Sequence, residues 1–323
     1  MDPNSPEFRK AASELRARAF SETPDLLIQV ENALNPEYWR HLNPEMTVCG
    51  NARSEANRRD DTDPSCAERP LQMLSSFGYF QMPAIVAGLA VYKMRRCIEL
   101  TRGAGWHPAF AFLYDEFWWA FRASALIRFL RRALGKDYGQ LPYLWGHYVA
   151  ANSRGWRPHV DGPTDIKKLT VWLALNDATL DNGCIYVVPR NTETEKLSDQ
   201  FLSIETFNCG DIRALLQNAK ALPAAAGSYL GWGPYLIHWG STSGPQAAAR
   251  ISISAEFSSR HSDPLDHDRT LMDADADSPL PSFSKRLRLI ALAIKSYESF
   301  DPEVFRCIPL AKQVLAHTTV EKD

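Results

Sequence analysis

Residues 168–188, KLTVWLALNDATLDNGCIYVV, contain two short apolar runs that are rich in β-branched and aromatic side chains. The runs, 168–175 and 184–188, are separated by a stretch with Asn, Asp and Gly, which is the pattern of two strands joined through turns. Five further runs of this kind surround them: residues 143–150, 157–161, 228–232, 235–239 and 249–257. Many short strands at this spacing predict a sandwich or barrel of the jelly-roll kind.

Helical patterns flank the strand region on both sides. Apolar residues at helical spacing predict helices over residues 83–100, 119–134, 284–299 and 302–316. Pro83 suits the first turn of the first helix, and Gly135 suits the position after the end of the second. The expected fold class is therefore α+β with a mainly β core and flanking N- and C-terminal helices.

The length of 323 residues suits one large domain. Residues 1–12 are expected to be a disordered tag, and 13–323 one domain with a helical part at 13–140, the jelly-roll core at 141–258, and a linker with helices at 259–323. Residues 51–70 are polar and charged and predict a loop. Such a loop is either a lid over a site or a plain disordered insertion.

Composition and charge exclude several classes of protein. With 36 Lys and Arg against 38 Asp and Glu, the net charge of -2 provides no general attraction to nucleic acid. The longest apolar run, residues 82–92, is much shorter than the roughly 20 residues that span a bilayer. The N-terminus lacks the apolar segment of a secretory signal, and the six cysteines form no C-x-x-C pair. We expect a cytoplasmic protein with reduced thiols and neither a membrane nor a nucleic-acid partner.

An acidic run near the C-terminus has the opening spacing of a calcium loop. Asp273, Asp275 and Asp277 alternate as in such loops, but Ser278 replaces the turn glycine and Ser284 stands where the closing Glu belongs. The run is therefore interpreted as a solvated linker.

The residues that predict chemistry are His159 and Asp161, two positions apart in RPHVDGP. Side chains at i and i+2 leave the same face of a strand, so an imidazole and a carboxylate can converge on one point. His238, near the end of the run YLIHW, can supply a third ligand from a neighbouring strand. Two His and one carboxylate on one face of a metal suit Fe(II) and leave adjacent coordination positions open.

Arg250 begins the strand ARISISAEF, twelve residues after His238. With a turn at STSGPQAA between them, the two strands are expected to pair as a hairpin and to project Arg250 toward the metal. A guanidinium suits a carboxylate held through two hydrogen bonds, and Ser252 on the same face adds a hydroxyl. This pattern predicts a 2-oxoglutarate site.

The segments RPHVDGP, LTVWLALNDATLDNGCIYVVPRN, AAGSYLGWGPYLIHWGS and RISISAEF resemble the phytanoyl-CoA dioxygenase (PhyH-like) family of Fe(II)/2-oxoglutarate-dependent oxygenases. The resemblance covers residues 140–258 well and the helical part more loosely. It implies a cupin-like double-stranded β-helix and iron on His159, Asp161 and His238. It further implies 2-oxoglutarate on Arg250, with Trp172 close to that cosubstrate.

Two positions depart from the family's pattern. The family's Pro-Gly-Ser-His segment is Pro189 to Thr192 here, which predicts a different entrance for the substrate. Members often carry a hydroxyl two residues after the distal His, where this chain has Gly240. Ser252 or Tyr148 is expected to replace that second anchor of the cosubstrate.

Residues around the ligand pair are candidates for substrate contact, although most have an ordinary structural interpretation as well. The candidates are Arg157, Trp156, Lys168, His147, Trp232 and Tyr235. His147 suits packing or a hydrogen bond behind the metal, and the aromatic residues suit a core. The basic residues near the ligands, Arg154 and Lys167 included, suit either a solvated face or an anionic substrate.

The resemblance implies a hydroxylase that uses Fe(II), 2-oxoglutarate and O₂ and releases succinate and CO₂. Its substrate would be a small-molecule or carrier-linked biosynthetic intermediate with an unactivated C–H bond. Desaturation, cyclisation or halogenation on the same fold is an alternative, and halogenases have Gly or Ala in place of the carboxylate that Asp161 supplies. A cupin-like zinc or other metal-binding protein is the alternative from a different class, but zinc alone would not explain Arg250.

Overall fold

The computed structural model describes residues 23–50, 67–163, 167–203, 208–260, 271–298 and 302–318. The α-helices are α1 (Thr23–Leu34), α2 (Pro36–Leu42), α3 (Glu68–Phe77), α4 (Gly88–Gly103), α5 (Asp115–Ala120), α6 (Ser124–Leu134), α7 (Thr192–Ser203), α8 (Cys209–Asn218), α9 (Phe283–Ser296) and α10 (Ile308–His317). Within the described ranges, 3₁₀ helices span Pro108–Leu113 and Pro302–Cys307. The strands are β1 (Tyr79–Ala84), β2 (Tyr138–Val149), β3 (Lys168–Ala174), β4 (Ile185–Val187), β5 (Lys220–Leu222), β6 (Ser228–Trp232), β7 (His238–Gly240) and β8 (Arg250–Ser259).

The strands form two antiparallel sheets. The large sheet has the order β1-β6-β3-β8-β2, and the small sheet has the order β5-β4-β7. The chain is thus a mixture of helices and antiparallel sheets, as the sequence predicts. In the part of the chain that the structure describes, no helix combines the length and apolarity that a membrane crossing requires.

Alternation along β3 assigns the two faces of the large sheet. Val171 and Leu173 belong to the main core, which includes buried residues of the N-terminal and C-terminal helices. Trp172 and Ala174, which alternate with these two residues along β3, pack in a second cluster with Ile185 and other residues of the small sheet. Successive side chains of a strand point to opposite faces. The helices therefore pack on the face that carries Val171 and Leu173, and the face that carries Trp172 and Ala174 packs against the small sheet.

Several predicted elements are confirmed with small shifts in their bounds. Residues 228–232 form β6, 168–175 form β3 except for the last residue, and 284–299 correspond to α9. Gly135 follows the end of α6 with φ of 99°, a backbone conformation that favours glycine. The predicted helix over 119–134 is interrupted and is divided between α5 and α6.

Three predicted boundaries are wrong for local reasons. Residue Pro83 lies in β1 and not in a helix, since the helix begins only at Gly88. Strand β1 lies at the edge of the large sheet and has an irregular register between Met82 and Ala84, which is where a strand tolerates proline. Residues 157–161 make only the bridge between His159 and His238, and the run 235–239 is strand only from His238.

The loop expected at residues 51–70 falls mostly outside the described residues, which resume at Ala67. The acidic run 273–277, for which a solvated linker is expected, makes local contacts. Asp273 accepts a hydrogen bond from the backbone N–H of Asp275, and Asp275 forms an ion pair with Arg131. Among described residues, neither aspartate belongs to a cluster of metal-ligating side chains. The five described cysteines are free thiols.

A buried ion pair joins the N-terminal and C-terminal helices. Asp115, at the start of α5, pairs with Arg286 of α9, and each side chain is 1% exposed. The Asp115 carboxylate also accepts hydrogen bonds from the backbone N–H groups of Cys49 and Gly50. Arg286 donates further bonds to the carbonyls of Leu113 and Pro281. The pair therefore connects residues 49–50, the start of α5 and the start of α9.

We expect Asp115→Asn to lower the free energy of unfolding by about 3–5 kcal/mol, since it leaves the Arg286 guanidinium buried without a counter-charge. Chemical denaturation followed by tryptophan fluorescence measures the loss. The exposed Asp181, changed to Asn, is the matched control and should alter stability by less than about 0.5 kcal/mol. Equal small effects of both substitutions would contradict the assigned role of the pair.

Candidate metal centre

His159 and His238 lie directly opposite each other on two paired chain segments. The backbone N–H of His159 donates to the carbonyl of His238 at 3.1 Å, and the reverse bond measures 3.0 Å. Residues that exchange both backbone bonds project their side chains from the same face of the pair. Consequently the two imidazole centroids lie 4.2 Å apart.

Backbone carbonyls orient both imidazoles. Nδ1 of His159 lies 2.8 Å from the carbonyl oxygen of Arg157, and Nδ1 of His238 lies 3.0 Å from that of Leu236. A carbonyl only accepts, so the proton of each neutral ring is assigned to Nδ1. Nε2 of each ring is then left with a lone pair, which is the arrangement of histidines that bind metals.

Asp161 completes the group with one oxygen and is held in place by the other. Its Oδ2 accepts hydrogen bonds from Thr170 Oγ1 at 2.8 Å and from Trp232 Nε1 at 3.1 Å. Its Oδ1 lies 3.5 Å from His159 Nε2 and 3.6 Å from His238 Nε2. Backbone bonds from Asp161 and Gly162 to the carbonyl of Pro234 fix the segment against the loop after β6.

The three side chains fit a metal ion in the chemistry and spacing of their donor atoms. One ligand atom from each lies within 4.8 Å of the others. Metal bonds of about 2 Å place neighbouring ligand atoms roughly 3 Å apart, so a small contraction would close the site around an ion. Two imidazole nitrogens and one carboxylate oxygen are the facial set that suits Fe(II).

The charges within the group favour an ionised carboxylate and a neutral His238. Burial alone would raise the pKa of Asp161, but His238, His159 and Lys168 together hold that pKa well below its ordinary value. Burial lowers the pKa of His238 to about 4 despite the adjacent carboxylate. For His159, burial acts in the same direction, but contact with Asp161 outweighs it and raises the pKa. A bound cation would take the place of the imidazole proton as partner of the carboxylate.

Arg250 provides a buried positive charge in the same cavity. Burial lowers the pKa of Arg250 to about 10, so the guanidinium stays charged at neutral pH. Its Nε and Nη1 atoms have no hydrogen-bond partner among the described residues, and neither do Ser252 Oγ and Trp172 Nε1. Buried polar atoms are normally paired, so this cluster of donors fits an anionic ligand with several acceptor oxygens.

The predicted hairpin between the strands of His238 and Arg250 is wrong. Strand β7 pairs with β4 in the small sheet, whereas β8 pairs with β2 and β3 in the large sheet. Arg250 instead approaches the site from the facing sheet. A Cβ at Gly240 would lie 2.8 Å from Nη2 of Arg250. The guanidinium therefore occupies the space beside Gly240, the position at which members of the family often carry a hydroxyl.

The two substitutes for that hydroxyl lie on different faces. Ser252 follows Arg250 on the inward face of β8 and is fully buried. Tyr148 lines the cavity, but it alternates with His147 on β2, and its ring lies under the Arg102 guanidinium at 4.3 Å. The ring of Trp172 lies 5.8 Å from the guanidinium carbon of Arg250. Ser252 is therefore better placed than Tyr148 to assist Arg250.

Three predicted substrate residues line the cavity that contains the metal group. Trp232 binds Asp161, and its ring centroid is 4.3 Å from that of His238. Nε2 of His147 lies 3.1 Å from Ser254 Oγ, and burial together with Arg250 lowers the pKa of His147 well below its ordinary value. Trp156 lies 6.0 Å from His159 between ring centroids. All three line one cavity.

The other predicted substrate residues differ in their surroundings. Tyr235 donates a hydrogen bond to the carbonyl of Glu195 in α7 and lines a separate, smaller pocket. The ammonium of Lys168 already has an internal partner, the carboxylate of Glu256 at 3.0 Å. Arg157 lines the cavity and is also exposed to solvent.

Sequence reasoning missed Thr170, Ser254 and Glu256, which line the same cavity. A signal for them exists in the two-residue alternation along β3 and β8. The register Thr170↔Glu256 and Trp172↔Ser254 places these side chains in rows beside Arg250 on the inner face. Tyr297, which follows α9, also lines the cavity and has no such signal, because it comes from a distant part of the chain.

Residues 149–247 match the model of the family described as Phytanoyl-CoA dioxygenase (PhyH). The predicted resemblance to phytanoyl-CoA dioxygenases is confirmed. The matched stretch contains His159, Asp161 and His238 and ends three residues before Arg250. Among curated proteins, none matches the chain significantly.

Several solved structures are similar to this chain at low identity. The epimerase SnoN, in complex with Fe3+, alpha ketoglutarate and nogalamycin RO, is 16% identical over 68% of this chain and 95% of its own, with a TM-score of 0.48. The carbocyclase SnoK from nogalamycin biosynthesis is 16% identical over 68% and 97%, with a TM-score of 0.46. HygX from Streptomyces hygroscopicus, with nickel and 2-oxoglutarate bound, is 12% identical over 59% and 87%, with a TM-score of 0.46.

Proposed function

We propose that this protein is an Fe(II)- and 2-oxoglutarate-dependent dioxygenase that hydroxylates a small-molecule or carrier-linked biosynthetic intermediate. The observation that carries the proposal is the pairing of a facial donor group, His159, Asp161 and His238, with the buried guanidinium of Arg250. The match to phytanoyl-CoA dioxygenases over residues 149–247 supports it independently.

We further propose that the two sheets are those of a double-stranded β-helix. The segment at His159 bridges to β7, so it continues the small sheet in the order β5-β4-β7 and residue 159. Facing it, β2, β8, β3 and β6 are adjacent in the large sheet. Eight antiparallel strand positions in two facing sheets are the arrangement of a jelly roll. The ligands then lie on the inside, where the sheets face each other.

In this function the chain holds the metal through Nε2 of His159, Nε2 of His238 and Oδ1 of Asp161. Iron with 2-oxoglutarate and O₂ supplies an oxidant that can insert oxygen into a C–H bond, with release of succinate and CO₂. Thr170 and Trp232 keep the Asp161 carboxylate oriented through its second oxygen. Arg250, assisted by Ser252, holds the distal carboxylate of 2-oxoglutarate by charge-assisted hydrogen bonds.

Two features favour a 2-oxoglutarate-dependent oxygenase over a halogenase or a zinc protein. Asp161 fills the ligand position that a halogenase leaves to halide, and its carboxylate is anchored by two hydrogen bonds. A zinc site would use the same three ligands, but it would give no role to a guanidinium that is fully buried without an acidic partner among the described residues. A cosubstrate that carries carboxylates gives Arg250 that role.

The test is anaerobic titration of the metal-free protein with Fe(II), followed by 2-oxoglutarate, under a spectrophotometer. We expect a visible charge-transfer band that needs both additions and is absent with succinate in place of 2-oxoglutarate. The matched control is Asp177→Asn, an acidic residue outside the cavity that should leave the band intact. Tight metal binding with no band on adding 2-oxoglutarate would overturn the proposal in favour of a zinc or other metal-binding protein.

A further inference from the structure

The cavity at the metal group is larger than the metal and 2-oxoglutarate require. Its volume is about 830 Å³, which lies in the upper range of small-molecule sites. Its walls come from the inner face of the large sheet, the segment 153–161, β7, and the end of α9 at Ser296 and Tyr297. The remaining space is therefore available to a substrate, whose chemistry the lining residues indicate.

The ionised side chains of the lining are unbalanced. Five are basic, Arg102, Arg154, Arg157, Lys168 and Arg250, and two are acidic, Asp161 and Glu256. Lys168 is neutralised by Glu256, Asp161 belongs to the metal group, and Arg250 belongs to the proposed cosubstrate site. The iron and 2-oxoglutarate charges cancel each other, so the excess positive charge remains.

This excess is located at the mouth of the cavity. Arg102, Arg154 and Arg157 line the cavity and are also exposed to solvent. None of the three has an acidic partner among the described residues. The Arg102 guanidinium lies 4.3 Å from the centroid of the Tyr148 ring, which holds it at the wall. Arg157 precedes the metal ligand His159 by two residues, and its carbonyl oxygen orients that ligand.

An aromatic wall runs from the metal group toward the C-terminal helix. The centroid of Trp156 is 6.0 Å from His159 and 5.1 Å from Tyr297, and Tyr297 is 4.4 Å from Trp145. Trp156 is half-buried, so part of its ring faces the cavity. Such rings bind planar apolar groups by stacking at centroid distances of about 4.5–7 Å.

We propose that the substrate carries an aromatic or otherwise planar ring and an anionic group. The ring stacks on Trp156 and Tyr297, and the carboxylate or phosphate binds Arg154 and Arg157. Arg102 adds to the positive potential that attracts the anion. This inference rests on the proposed function only for the assignment of Arg250 to 2-oxoglutarate. The substrate class is thus a ring-bearing anion whose apolar part reaches toward the metal group.

The test measures direct binding by calorimetry and needs no turnover. The probes are 2-naphthoate, its neutral counterpart 2-naphthamide, the ring-free octanoate and 2-naphthyl phosphate. We expect 2-naphthoate to bind at least ten-fold more tightly than either 2-naphthamide or octanoate. Comparison with 2-naphthyl phosphate shows whether the arginines favour a carboxylate or a phosphate.

Variants locate the bound probe. Arg154→Gln with Arg157→Gln should reduce the preference for 2-naphthoate over 2-naphthamide to less than three-fold, while Trp156→Ala should weaken both probes together. Arg213→Gln, an exposed arginine outside the cavity, is the matched control and should change neither affinity. Arg250→Met should leave the preference intact.

Two results would overturn the inference: no preference for the anionic ring compound, or a preference that is abolished by Arg250→Met and unaffected by Arg154→Gln with Arg157→Gln. The second result would place the probe in the pocket assigned to 2-oxoglutarate. Failure of the proposed function is a separate outcome, because it appears as a missing charge-transfer band whether or not the naphthalene compounds bind.

Discussion

Asp161→Ala is expected to abolish turnover, with a decrease of about 1000-fold or more in succinate formation. Removal of groups that merely orient a metal ligand already lowers metal affinity or activity by about 10- to 100-fold. Asp161 supplies the only anionic ligand atom of the group, and its second oxygen binds Thr170 and Trp232. Loss of the carboxylate removes the negative charge that attracts the cation and one of the three oriented ligand atoms.

Iron content after anaerobic equilibration, together with succinate formation, measures this effect. The exposed Asp181, changed to Ala, is the control for loss of a carboxylate elsewhere. Circular dichroism should show that both variants are folded. Near-normal iron binding and turnover by Asp161→Ala would mean that another carboxylate ligates the metal.

Arg250→Met is expected to weaken the binding of 2-oxoglutarate by a factor of hundreds or more. The affinity for iron should stay within a few-fold of that of the original protein. Removing one partner of a buried, charge-assisted pair costs on the order of 3–5 kcal/mol, and each 1.4 kcal/mol is about ten-fold in affinity. Methionine preserves most of the volume of the side chain, so the change isolates the guanidinium.

Calorimetry with 2-oxoglutarate on the metal-loaded protein in the absence of O₂ gives the affinity. Arg250→Lys is the matched variant, because lysine keeps the positive charge but lacks the forked geometry of the guanidinium. Its affinity for 2-oxoglutarate should lie between that of Arg250→Met and that of the original protein. Unfolding of the metal-free protein provides a second measurement. Because Arg250 is buried without a partner among the described residues, Arg250→Met should be at least as stable as the original protein. Unchanged 2-oxoglutarate affinity would assign the anchor to a different basic residue.

Local patterns were sufficient for most of the strands and for the metal group. Alternation of apolar and polar residues depends on neighbours along one strand, so β3, β6 and β8 follow from the sequence with small errors in their bounds. Predicted boundaries were wrong where a tertiary contact outweighed local preference. Pro83 is an example, since residues 79–84 are extended by pairing with β6 and do not continue the helical pattern of residues 88–103.

The partners of individual charges could not be predicted from the sequence. Lys168 and Glu256 are 88 positions apart, and only the pairing of β3 with β8 brings them within 3.0 Å. The same holds for Asp115 and Arg286, whose contact depends on how α5 and α9 pack behind the large sheet. Arg250 lines the cavity of the metal group, but it reaches that cavity from β8 in the large sheet and not through the expected hairpin with β7.

The sequence by itself identified His159, Asp161 and His238 as a candidate donor set and predicted most of the strands around them, because residue type and two-residue spacing are properties of short segments. Only the tertiary structure decided which oxygen of Asp161 faces the imidazoles and which is held by Thr170 and Trp232. It also decided that Lys168 is neutralised and that Arg250 is buried without an acidic partner among the described residues. Electrostatic pairing depends on distances of a few ångströms between segments remote in sequence, and those distances exist only once both sheets have formed and packed against each other.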